Sequence, residues 1–213
     1  MTRIVATIPV GPLACNCSIV LDEPTGEAVV IDPGDEAPKI VDALGRAGAT
    51  AVFLLHTHAH FDHIGAAGGV QEATGAPVCL HPDDRFLYEK LPDQGRAFGF
   101  SFDPPPPVNR WIADGETFEF GESRIRALHT PGHSPGSTCF LLEGAAPALF
   151  SGDTLFRDSI GRTDLWGGSL ETIEASIRGK LYSLPESLRV IPGHGPETTV
   201  GREMRGNPFV RPA

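Results

Sequence analysis

The chain has 213 residues, of which 40% are hydrophobic, and its acidic residues outnumber the basic ones to give a formal net charge of −10. Its 25 glycines and 20 prolines make it rich in turns without reaching the share typical of low-complexity chains. This composition excludes a coiled coil, a collagen-like chain and a disordered acidic protein. The negative charge, with no segment rich in Lys or Arg, also argues against general binding to nucleic acid.

The sequence shows no signal for export or for insertion into a membrane. The first residues lack an apolar stretch long enough for a secretory signal, and no run approaches about 18 consecutive apolar residues. The four cysteines have no C-x-x-C spacing, so we expect reduced thiols rather than disulfides. We therefore expect a cytoplasmic protein that acts on a small molecule and binds neither nucleic acid nor a membrane.

The first half of the chain predicts strands and helices in alternation. Short apolar runs bounded by Gly, Pro or Asp predict strands over residues 18–21, 28–31, 51–55 and 77–80. The run at 51–55 is continuously apolar, as expected of a strand that is buried on both faces. Apolar residues at helical spacing predict helices over residues 38–48 and 64–74, and a glycine marks the end of each.

The second half repeats this pattern. It predicts strands over residues 124–128, 138–142, 148–150 and 189–191. A helix is predicted over residues 169–181, with Ser169 as its N-cap. Its apolar face is expected to comprise Leu170, Ile173, Ile177 and Leu181.

The segment between the two halves contains four consecutive prolines. Residues 103–108 predict a stiff extended connector within one domain, not a linker between two. Phe98, Phe100 and Phe102 alternate along the chain, which favours a strand packing its own core over residues that line the mouth of a site. Strands and helices in alternation indicate a layered α/β domain with covered sheets, and we expect residues 1–213 to form a single domain.

The stretch at residues 57–65 reads T-H-A-H-F-D-H-I-G and directly follows the predicted buried strand. In an extended chain, residues two apart project to the same side, so His58 and His60 can bind one ion. Asp62 and His63 lie where the chain turns into a helix and should point toward a second ion. Three histidines and an aspartate in this order are a strong signal for a metal site.

Three further candidate ligands follow predicted strands downstream. They are His133 in T-P-G-H-S, Asp153 in S-G-D-T and His194 in P-G-H-G. Because strand ends gather at one rim of a sheet, these loops can meet residues 57–65 in space, and their Gly and Pro neighbours allow sharp turns. His56, His81 and His129, which are not part of these motifs, are interpreted as core residues.

The seven candidate ligands are five imidazoles and two carboxylates, a set that suits zinc, iron or manganese. We expect two divalent ions, with zinc as the first choice and iron or manganese as alternatives. Two ions would leave a modestly positive site against the two aspartates and a bridging hydroxide. A single ion would leave several imidazoles without a ligand role.

The H-x-H-x-D-H loop and the later PGH-S, SGD-T and PGHG motifs resemble those of the metallo-β-lactamase superfamily, and they cover nearly the whole chain. This resemblance implies a four-layer αββα sandwich with the metals at one rim. It also implies that His58, His60 and His133 hold the first metal, that Asp62, His63 and His194 hold the second, and that Asp153 bridges the two.

Within the superfamily, the chain resembles the compact bacterial branch of glyoxalase II, the hydroxyacylglutathione hydrolases. The segments that carry this resemblance are 13–20 (LACNCSIV), 153–156 (DTLF), 160–164 (IGRTD) and 207–210 (NPFV). The chain lacks most of the C-terminal helical domain that supplies much of the glutathione site in full-length glyoxalase II. Another low-molecular-weight thiol could therefore replace glutathione.

The resemblance implies a dinuclear metal-dependent hydrolase that cleaves a thioester such as S-D-lactoylglutathione. A metal can lower the pKa of bound water to about 7, so that a metal-bridging hydroxide is available to attack the thioester carbonyl. Asp153 and Asp62 are the expected catalytic carboxylates, and Asp62 would orient the nucleophile through a hydrogen bond. The departing thiol, with a pKa near 8.5, needs little help from an acid.

Arg162 is the candidate for binding the substrate, because it matches a basic position that the family uses for the carboxylate of the thiol. The alternative is a surface arginine paired with Asp158 or Asp164. Asp164 is expected to orient a metal ligand or Arg162 rather than to bind metal. Asn16 and Cys17 are expected to pack beneath the site.

Four alternatives to the thioester hydrolase remain at the level of the sequence. A mononuclear-iron persulfide dioxygenase on the same fold would use His58, His133 and Asp153, but it would have no use for His194. A lactonase would share the whole ligand set. A secreted β-lactamase is disfavoured because no signal peptide precedes the domain. A non-enzymatic metal-binding or redox scaffold is disfavoured because 213 residues leave no room for a fused flavin domain.

Overall fold

A computed structural model describes residues 1–212 and contains two six-stranded sheets that face each other. The first sheet has the order β1-β2-β3-β4-β5-β6. Its strands are β1 (Thr2–Val10), β2 (Cys15–Asp22), β3 (Glu27–Ile31), β4 (Thr50–Leu55), β5 (Val78–Leu80) and β6 (Arg110–Trp111). The first three strands are antiparallel, and β3 to β6 run parallel to one another.

The second sheet has the order β14-β13-β10-β9-β8-β7. Its strands are β7 (Thr117–Phe120), β8 (Ser123–His129), β9 (Thr138–Leu142), β10 (Ala148–Gly152), β13 (Arg189–Pro192) and β14 (Thr198–Thr199). Only β10 and β13 pair in parallel, and the other neighbours are antiparallel. A separate two-stranded ribbon, β11 (Leu155–Phe156) and β12 (Ser159–Ile160), follows β10.

Helices cover the outer face of each sheet. Those of the first half are α1 (Ala37–Ala47), α2 (Phe61–Ile64), α3 (Ala67–Thr74), α4 (Arg85–Tyr88) and α5 (Leu91–Ala97). Those of the second half are α6 (Leu170–Ser176), which a turn of π-helix extends over Ile177–Leu181, and α7 (Val200–Gly206). The chain is therefore arranged in four layers.

Three apolar clusters hold these layers together. The first lies between the first sheet and its helices, and Ile40 of α1 packs there with Leu54 of β4. The second lies between the two sheets and joins Leu55 to Phe140. The third lies beneath α6 and includes Ile173. Fully burying one such side chain contributes about 1.5–3 kcal/mol, so the layers are fixed mainly by this packing. The predicted layered α/β sandwich is confirmed.

Helix α1 shows how the local sequence sets an element. Pro38 lies in its first turn, where the missing N–H costs nothing. Gly48 ends the helix in the left-handed conformation, with φ of 62°, and its N–H donates to the carbonyls of Gly45 and Leu44. Ile40 and Leu44 are buried, as their spacing indicates. The predicted and observed bounds differ by one residue at each end.

The helix predicted over residues 64–74 is divided in two in the structure. Helix α2 ends at Ile64, and α3 begins at Ala67. A Cβ at Gly65 would lie 2.5 Å from the carbonyl oxygen of Gly34, so the backbone passes too close to its neighbour for any larger residue. The N–H of Ala66 donates to the carbonyl of Pro33, which fixes the break between the helices.

The helix predicted over residues 169–181 is confirmed in position, with one error in its apolar face. The Ser169 hydroxyl accepts a hydrogen bond from the N–H of Thr172, as a cap should. Ile173, Ile177 and Leu181 are fully buried, but Leu170 is 54% exposed. Leu170 is the first residue of the helix, and its side chain lies outside the buried face there.

The prediction of a strand around Phe98, Phe100 and Phe102 is wrong. The chain is irregular over 98–109, and these rings instead gather around Phe61 of α2, at centroid distances of 5.2, 5.5 and 5.8 Å. Phe98 is 44% exposed and lines the mouth of the candidate site. This is the role that the alternating pattern disfavoured. Among residues 1–212, no helix combines the length and the apolar character that crossing a membrane requires.

Candidate metal centre

All seven candidate ligands lie at one rim of the sandwich, where several strands end. His58 and His60 follow β4, and Asp62 and His63 belong to the short helix α2. The other three follow or separate strands of the second sheet, and they are His133 between β8 and β9, Asp153 after β10, and His194 after β13. The rim therefore assembles side chains from both sheets, as the predicted strand ends require.

The first group consists of three histidines that face one another. Nδ1 of His60 lies 2.9 Å from Nε2 of His133, and Nε2 of His133 lies 3.2 Å from Nε2 of His58. All three rings are buried. These are the residues that the family resemblance assigns to a first metal, and their facing atoms lie close enough to bind one ion.

The second group consists of Asp62, His63 and His194. Nε2 of His63 lies 3.2 Å from Nε2 of His194, which in turn lies 3.1 Å from Oδ2 of Asp62. His63 is fully buried, whereas His194 is 26% exposed in its side chain. Helix α2 therefore turns Asp62 and His63 toward a different partner from the one that His58 and His60 face.

Asp153 lies between the two groups. Its Oδ2 is 3.6 Å from Nε2 of His133 in the first group and 3.7 Å from Nε2 of His194 in the second. Its Oδ1 is 3.4 Å from Nε2 of His63. A single carboxylate thus reaches both sets, which is the arrangement that a bridging ligand needs.

The second nitrogen of four ligand rings is held by a protein oxygen. These hydrogen bonds run from His58 Nδ1 to Thr57 Oγ1, from His63 Nδ1 to Asp32 Oδ2, from His133 Nδ1 to the carbonyl of Arg162, and from His194 Nδ1 to the carbonyl of Leu13. Because each of these rings donates on its outer side, its inner nitrogen carries a lone pair when the ring is neutral. This pattern is typical of metal-binding histidines.

The inner lone pairs of neutral His58 and His133 point at each other, and a cation bound between them would stabilise this arrangement. Ligand atoms around a tetrahedral zinc ion lie roughly 3.3 Å apart, given Zn–N bonds of about 2.0–2.1 Å. The nitrogens of the first group lie 2.9 and 3.2 Å apart. Oδ1 of Asp153 is also buried with no hydrogen-bond partner among the described residues. The donor set therefore fits two divalent metal ions.

The electrostatics differ between the two groups of rings. Burial lowers the pKa of His58 and of His60, and neighbouring imidazoles lower both further, so that these rings are neutral near pH 7. Burial alone would raise the pKa of Asp62, but His63 and His194 beside it bring the pKa below its ordinary value. Burial alone would lower the pKa of His63 and of His194, but the acidic groups around them raise the pKa of both. Because neutral imidazole and ionised carboxylate are the forms that bind metal, an ion that binds to the second group displaces protons from these rings.

Asp32 is a residue of the site that sequence reasoning missed. It lies at the end of β3 and is 2% exposed, and its carboxylate accepts hydrogen bonds from His63 Nδ1 and from both the N–H and the hydroxyl of Thr57. Its φ of 52° lies in the left-handed region, which few residues other than Gly, Asn and Asp adopt readily. An aspartate directly after a buried apolar strand, in I-D-P-G-D, is the signal that could have identified it.

Asp84 is a second residue that the sequence did not reveal. Its fully buried carboxylate accepts hydrogen bonds from the N–H of Ala59 at 2.9 Å, from the N–H of Gly136 at 2.6 Å and from the Ser134 hydroxyl at 2.8 Å. Ala59 separates His58 from His60, and Ser134 follows His133. Asp84 thus joins the two loops that supply the first group.

The metal groups open onto a cavity of about 320 Å³. Its apolar wall includes Leu13, Phe98, Leu165 and Trp166. Arg162 also lines this cavity, so the structure brings it to the place where a substrate would bind. The same side chain makes two hydrogen bonds to Asp164, at 2.7 and 2.8 Å, and Arg162 lowers the pKa of Asp164 to about 2.

The two interpretations of Arg162 are therefore compatible. Asp164 pairs with Arg162 rather than with a metal ligand, whereas Asp158 pairs with Arg202. Arg162 is connected to the metal centre through its backbone, because its carbonyl accepts a hydrogen bond from Nδ1 of His133.

Asn16 and Cys17 lie beneath the site, as expected. The side-chain amide of Asn16 donates to the carbonyls of Pro192 and Gly195, which fixes the turn that carries His194. Cys17 is fully buried, and burial raises the pKa of its thiol. Burial likewise raises the pKa of Cys15 to about 12, so neither thiol is suited to act as a nucleophile.

His81 and His129 lie outside the centre. His81 is buried, as expected of a core residue, whereas His129 is only half-buried. Their rings stack with centroids 3.8 Å apart and planes at 10°. Because a metal binds in the plane of an imidazole, two parallel rings do not converge on one ion. Nε2 of His129 is also occupied by a hydrogen bond to the carbonyl of Pro135.

Comparisons with known proteins agree with this geometry. The family model described as the metallo-beta-lactamase superfamily matches residues 10–194. A Haemophilus influenzae protein named hydroxyacylglutathione hydrolase GloC is 38% identical over 95% of this chain and 96% of its own length. A Bacillus subtilis protein named probable metallo-hydrolase YqgX is 40% identical over 95% of each chain.

Two solved structures are similar over nearly the whole chain. The structure of BLEG-1, described as a B3 metallo-beta-lactamase, is 40% identical, covers 99% of both chains and superposes with a TM-score of 0.89. The structure of TTHA1623 in a di-iron-bound form is 44% identical, covers 97% of this chain and 100% of its own, and gives a TM-score of 0.88.

Proposed function

The chain belongs to the metallo-beta-lactamase superfamily, whose model matches most of its length, and from this premise we propose that it hydrolyses a thioester such as S-D-lactoylglutathione. The observation that carries the proposal is the pair of adjoining ligand groups with Asp153 between them. The similarity to a protein named hydroxyacylglutathione hydrolase supports the thioester as the substrate class.

Two divalent ions held by these groups would supply a water of lowered pKa and a Lewis acid for the carbonyl oxygen. His58, His60 and His133 would hold the first ion, Asp62, His63 and His194 the second, and Asp153 both. Zinc is the metal we propose, and iron and manganese suit the same ligands.

The protein's own residues contribute position and charge. Asp62 lines the cavity and stays ionised, so it can accept a hydrogen bond from the attacking water and orient that water. Leu13, Phe98 and Trp166 give the cavity an apolar wall beside the reacting atoms. The leaving thiolate has a conjugate pKa near 8.5 and therefore needs no dedicated acid.

Arg162 is proposed to bind a carboxylate of the thiol. Of the described residues that line the metal cavity, it is the one with a permanently charged basic side chain. Its bidentate pair with Asp164 holds the guanidinium at the rim, where 56% of the side chain is exposed. An exposed pair of this kind exchanges partners at little cost, because surface ion pairs are worth only about 0–1 kcal/mol.

The location and the kind of ligand are also part of the proposal, and they rest on the four free, buried cysteines and on the small cavity. Reduced thiols suit a cytoplasmic location, and a cavity of this size suits a small molecule rather than a nucleic acid or a membrane.

The second candidate function is hydrolysis of a β-lactam, which the similarity to BLEG-1 favours. A lactone is a further substrate of the same chemistry. A persulfide dioxygenase with one iron is disfavoured because it leaves Asp62, His63 and His194 without a role, although these three lie together in the structure.

The test combines metal analysis with four assays on one metal-loaded preparation. We expect two metal ions per chain and hydrolysis of S-lactoylglutathione, with a kcat/KM well above the values for a chromogenic cephalosporin and for a lactone. One iron per chain with oxygen uptake on glutathione persulfide would overturn the proposal. Two ions with no turnover of any substrate would favour the non-enzymatic scaffold.

A further inference from the structure

His60 is the exception among the five histidines of the metal centre. In the other four rings, the nitrogen that faces away from the ligand groups donates a hydrogen bond to a protein oxygen. The outer nitrogen of His60 is Nε2, because its Nδ1 faces Nε2 of His133 at 2.9 Å. Nε2 of His60 is buried and has no hydrogen-bond partner among residues 1–212. One ligand of the first group therefore lacks the outer support that the other rings have.

The hydrogen bonds around His133 indicate where the proton of His60 lies. Nδ1 of His133 donates to the carbonyl of Arg162, so Nε2 of neutral His133 can only accept. Nδ1 of His60, 2.9 Å away, pairs with this acceptor as the donor. The proton of neutral His60 therefore lies on Nδ1, and its Nε2 carries a lone pair.

This arrangement of the proton cannot persist when His60 binds a metal ion. Nδ1 of His60 binds an ion only through its lone pair. The proton of the neutral ring then lies on Nε2, which becomes a buried N–H donor. Leaving such a donor unpaired in the protein interior is costly. Metal binding by the first group is therefore favoured by an acceptor beside Nε2 of His60.

Gln94 of α5 offers an acceptor of this kind. Its Nε2 donates to the carbonyls of Ala59 at 2.9 Å and Leu87 at 2.7 Å, so the other end of the amide is the oxygen Oε1. Gln94 is 2% exposed, and its Oε1 has no hydrogen-bond partner in the described part of the chain. Because Oε1 is out of reach of a bound ligand, a group of the protein itself is the partner that would satisfy it.

The positions of the two side chains favour their pairing. Ala59, whose carbonyl accepts from Gln94, directly precedes His60, and His60 and Gln94 both line the metal cavity. Two other buried side-chain atoms lack a partner among the described residues. Of these, Oδ1 of Asp153 lies among the metal ligands, and His56 does not line the metal cavity. Oε1 of Gln94 is thus the unpaired acceptor placed to serve Nε2 of His60.

We propose that Gln94 is the positioning residue of His60, and that its Oε1 accepts a hydrogen bond from Nε2 of His60 when the first group binds metal. With the proton of His60 on Nδ1, both atoms are acceptors and do not pair. Metal binding removes a proton from Nδ1 and leaves one on Nε2, so the ring stays neutral while Nε2 becomes a donor. This inference rests on the metal centre of the proposed function and not on its substrate.

The first experiment follows the ring protons by NMR in protein with isotope-labelled histidine, before and after addition of zinc alone. We expect His60 to carry its proton on Nδ1 in the metal-free protein and on Nε2 in the loaded protein. The Nε2 proton should exchange with solvent about tenfold faster in Gln94→Met than in the unaltered protein. A proton that stays on Nδ1 after loading, or an Nε2 proton that exchanges equally fast in both proteins, would overturn the proposal.

The second experiment measures zinc affinity by competition with a chromogenic chelator. Gln94→Met removes the acceptor and should weaken binding about 10–100-fold. Gln94→Glu keeps an acceptor but, when ionised, cannot donate to the carbonyls of Ala59 and Leu87, and it should retain the affinity. Gln71→Met, on α3 and outside the wall of the metal cavity, is the matched control and should bind zinc normally. Equal losses in Gln94→Met and Gln94→Glu would overturn the proposal, because donation to the two carbonyls would then account for the role of Gln94.

These measurements separate the inference from the proposed function. If Gln94→Met fails to fold, the side-chain carbonyl resonance of Gln94 in the unaltered protein decides the case: it should shift when zinc binds, and no shift would overturn the proposal. Normal zinc affinity in Gln94→Met, with thioester hydrolysis intact, would overturn the role of Gln94 and leave the hydrolase standing. Failure of the unaltered protein to bind zinc at the first group would overturn the proposed function and the inference with it.

Discussion

Oδ2 of Asp32 lies 2.9 Å from Nδ1 of His63, the ring nitrogen that faces away from the second ligand group. The same oxygen accepts a hydrogen bond from the hydroxyl of Thr57, and that hydroxyl accepts a hydrogen bond from Nδ1 of His58. One buried carboxylate therefore orients a histidine in each group. The two groups share this support as well as the central Asp153.

Replacing Asp32 with Asn should weaken metal binding. Asn cannot accept from three donors with the strength of a carboxylate, so the rings of His58 and His63 lose their fixed orientation. Changes of this kind typically cost about 10–100-fold in metal affinity. Competition with a chromogenic chelator measures the effect. Asp42→Asn, at an exposed aspartate on α1, is the control and should bind metal normally. Unchanged affinity in Asp32→Asn would contradict this role.

Asp153→Ala should lower metal content and activity together, because Asp153 reaches ligands of both groups. Elemental analysis after dialysis, alongside the thioester assay, measures both quantities. If two ions per chain remained bound in this variant, Asp153 would not be a bridging ligand.

Gly193→Ala should also reduce metal loading, through crowding. A Cβ at Gly193 would lie 2.7 Å from Cε1 of His63 and would contact Oδ1 of Asp153. Neither neighbour can move without leaving its place in the centre. Gly195→Ala is not a suitable control because Gly195 has a φ of 72°, so we choose Gly206→Ala, where a Cβ meets nothing within 4 Å. Normal loading in Gly193→Ala would show that the crowding is relieved elsewhere.

Asp84→Asn should lower the free energy of unfolding. The carboxylate satisfies three donors in a fully buried position, and an amide would place its own N–H groups against some of them. Leaving a buried donor unpaired costs about 1–3 kcal/mol. Urea unfolding of the metal-free protein measures this cost. Equal midpoints for the variant and the unaltered protein would contradict it.

The free energy of unfolding should depend on pH through His81. Burial and the adjacent His129 lower the pKa of His81 to about 4 in the folded protein, from an ordinary value near 6.5. A lowered folded-state pKa means that its contribution is present above about pH 6.5 and is lost as the pH falls toward 4. Between pH 7 and 5, metal-free His81→Phe should therefore lose less stability than the unaltered protein. Identical losses would show that His81 is not responsible.

The seven candidate ligands could be chosen from the sequence because they occur in short motifs directly after apolar strands. Strand ends meet at a rim, so the order of elements alone brings distant histidines together. The structure shows them grouped as that reasoning requires. The layered α/β fold could also be predicted from the sequence, because apolar residues recur at the spacing of the buried face of each strand and helix.

The supporting residues could not be identified in this way. Asp32 and Asp84 act through hydrogen bonds to backbone groups or rings that are remote in sequence, and no periodic pattern records such partners. The three phenylalanines at 98–102 alternate like a strand, but they pack around Phe61 from an irregular chain. There, tertiary packing overrides the local pattern.

Each of the two ligand groups combines residues from both halves of the chain. His58 and His60 need His133, and Asp62 and His63 need His194, so neither half carries a complete set. During synthesis, the chain can acquire its full complement of ions only after residue 194 has left the ribosome. Metal capture is therefore a late event, and the bound ions would fasten the second sheet to the first.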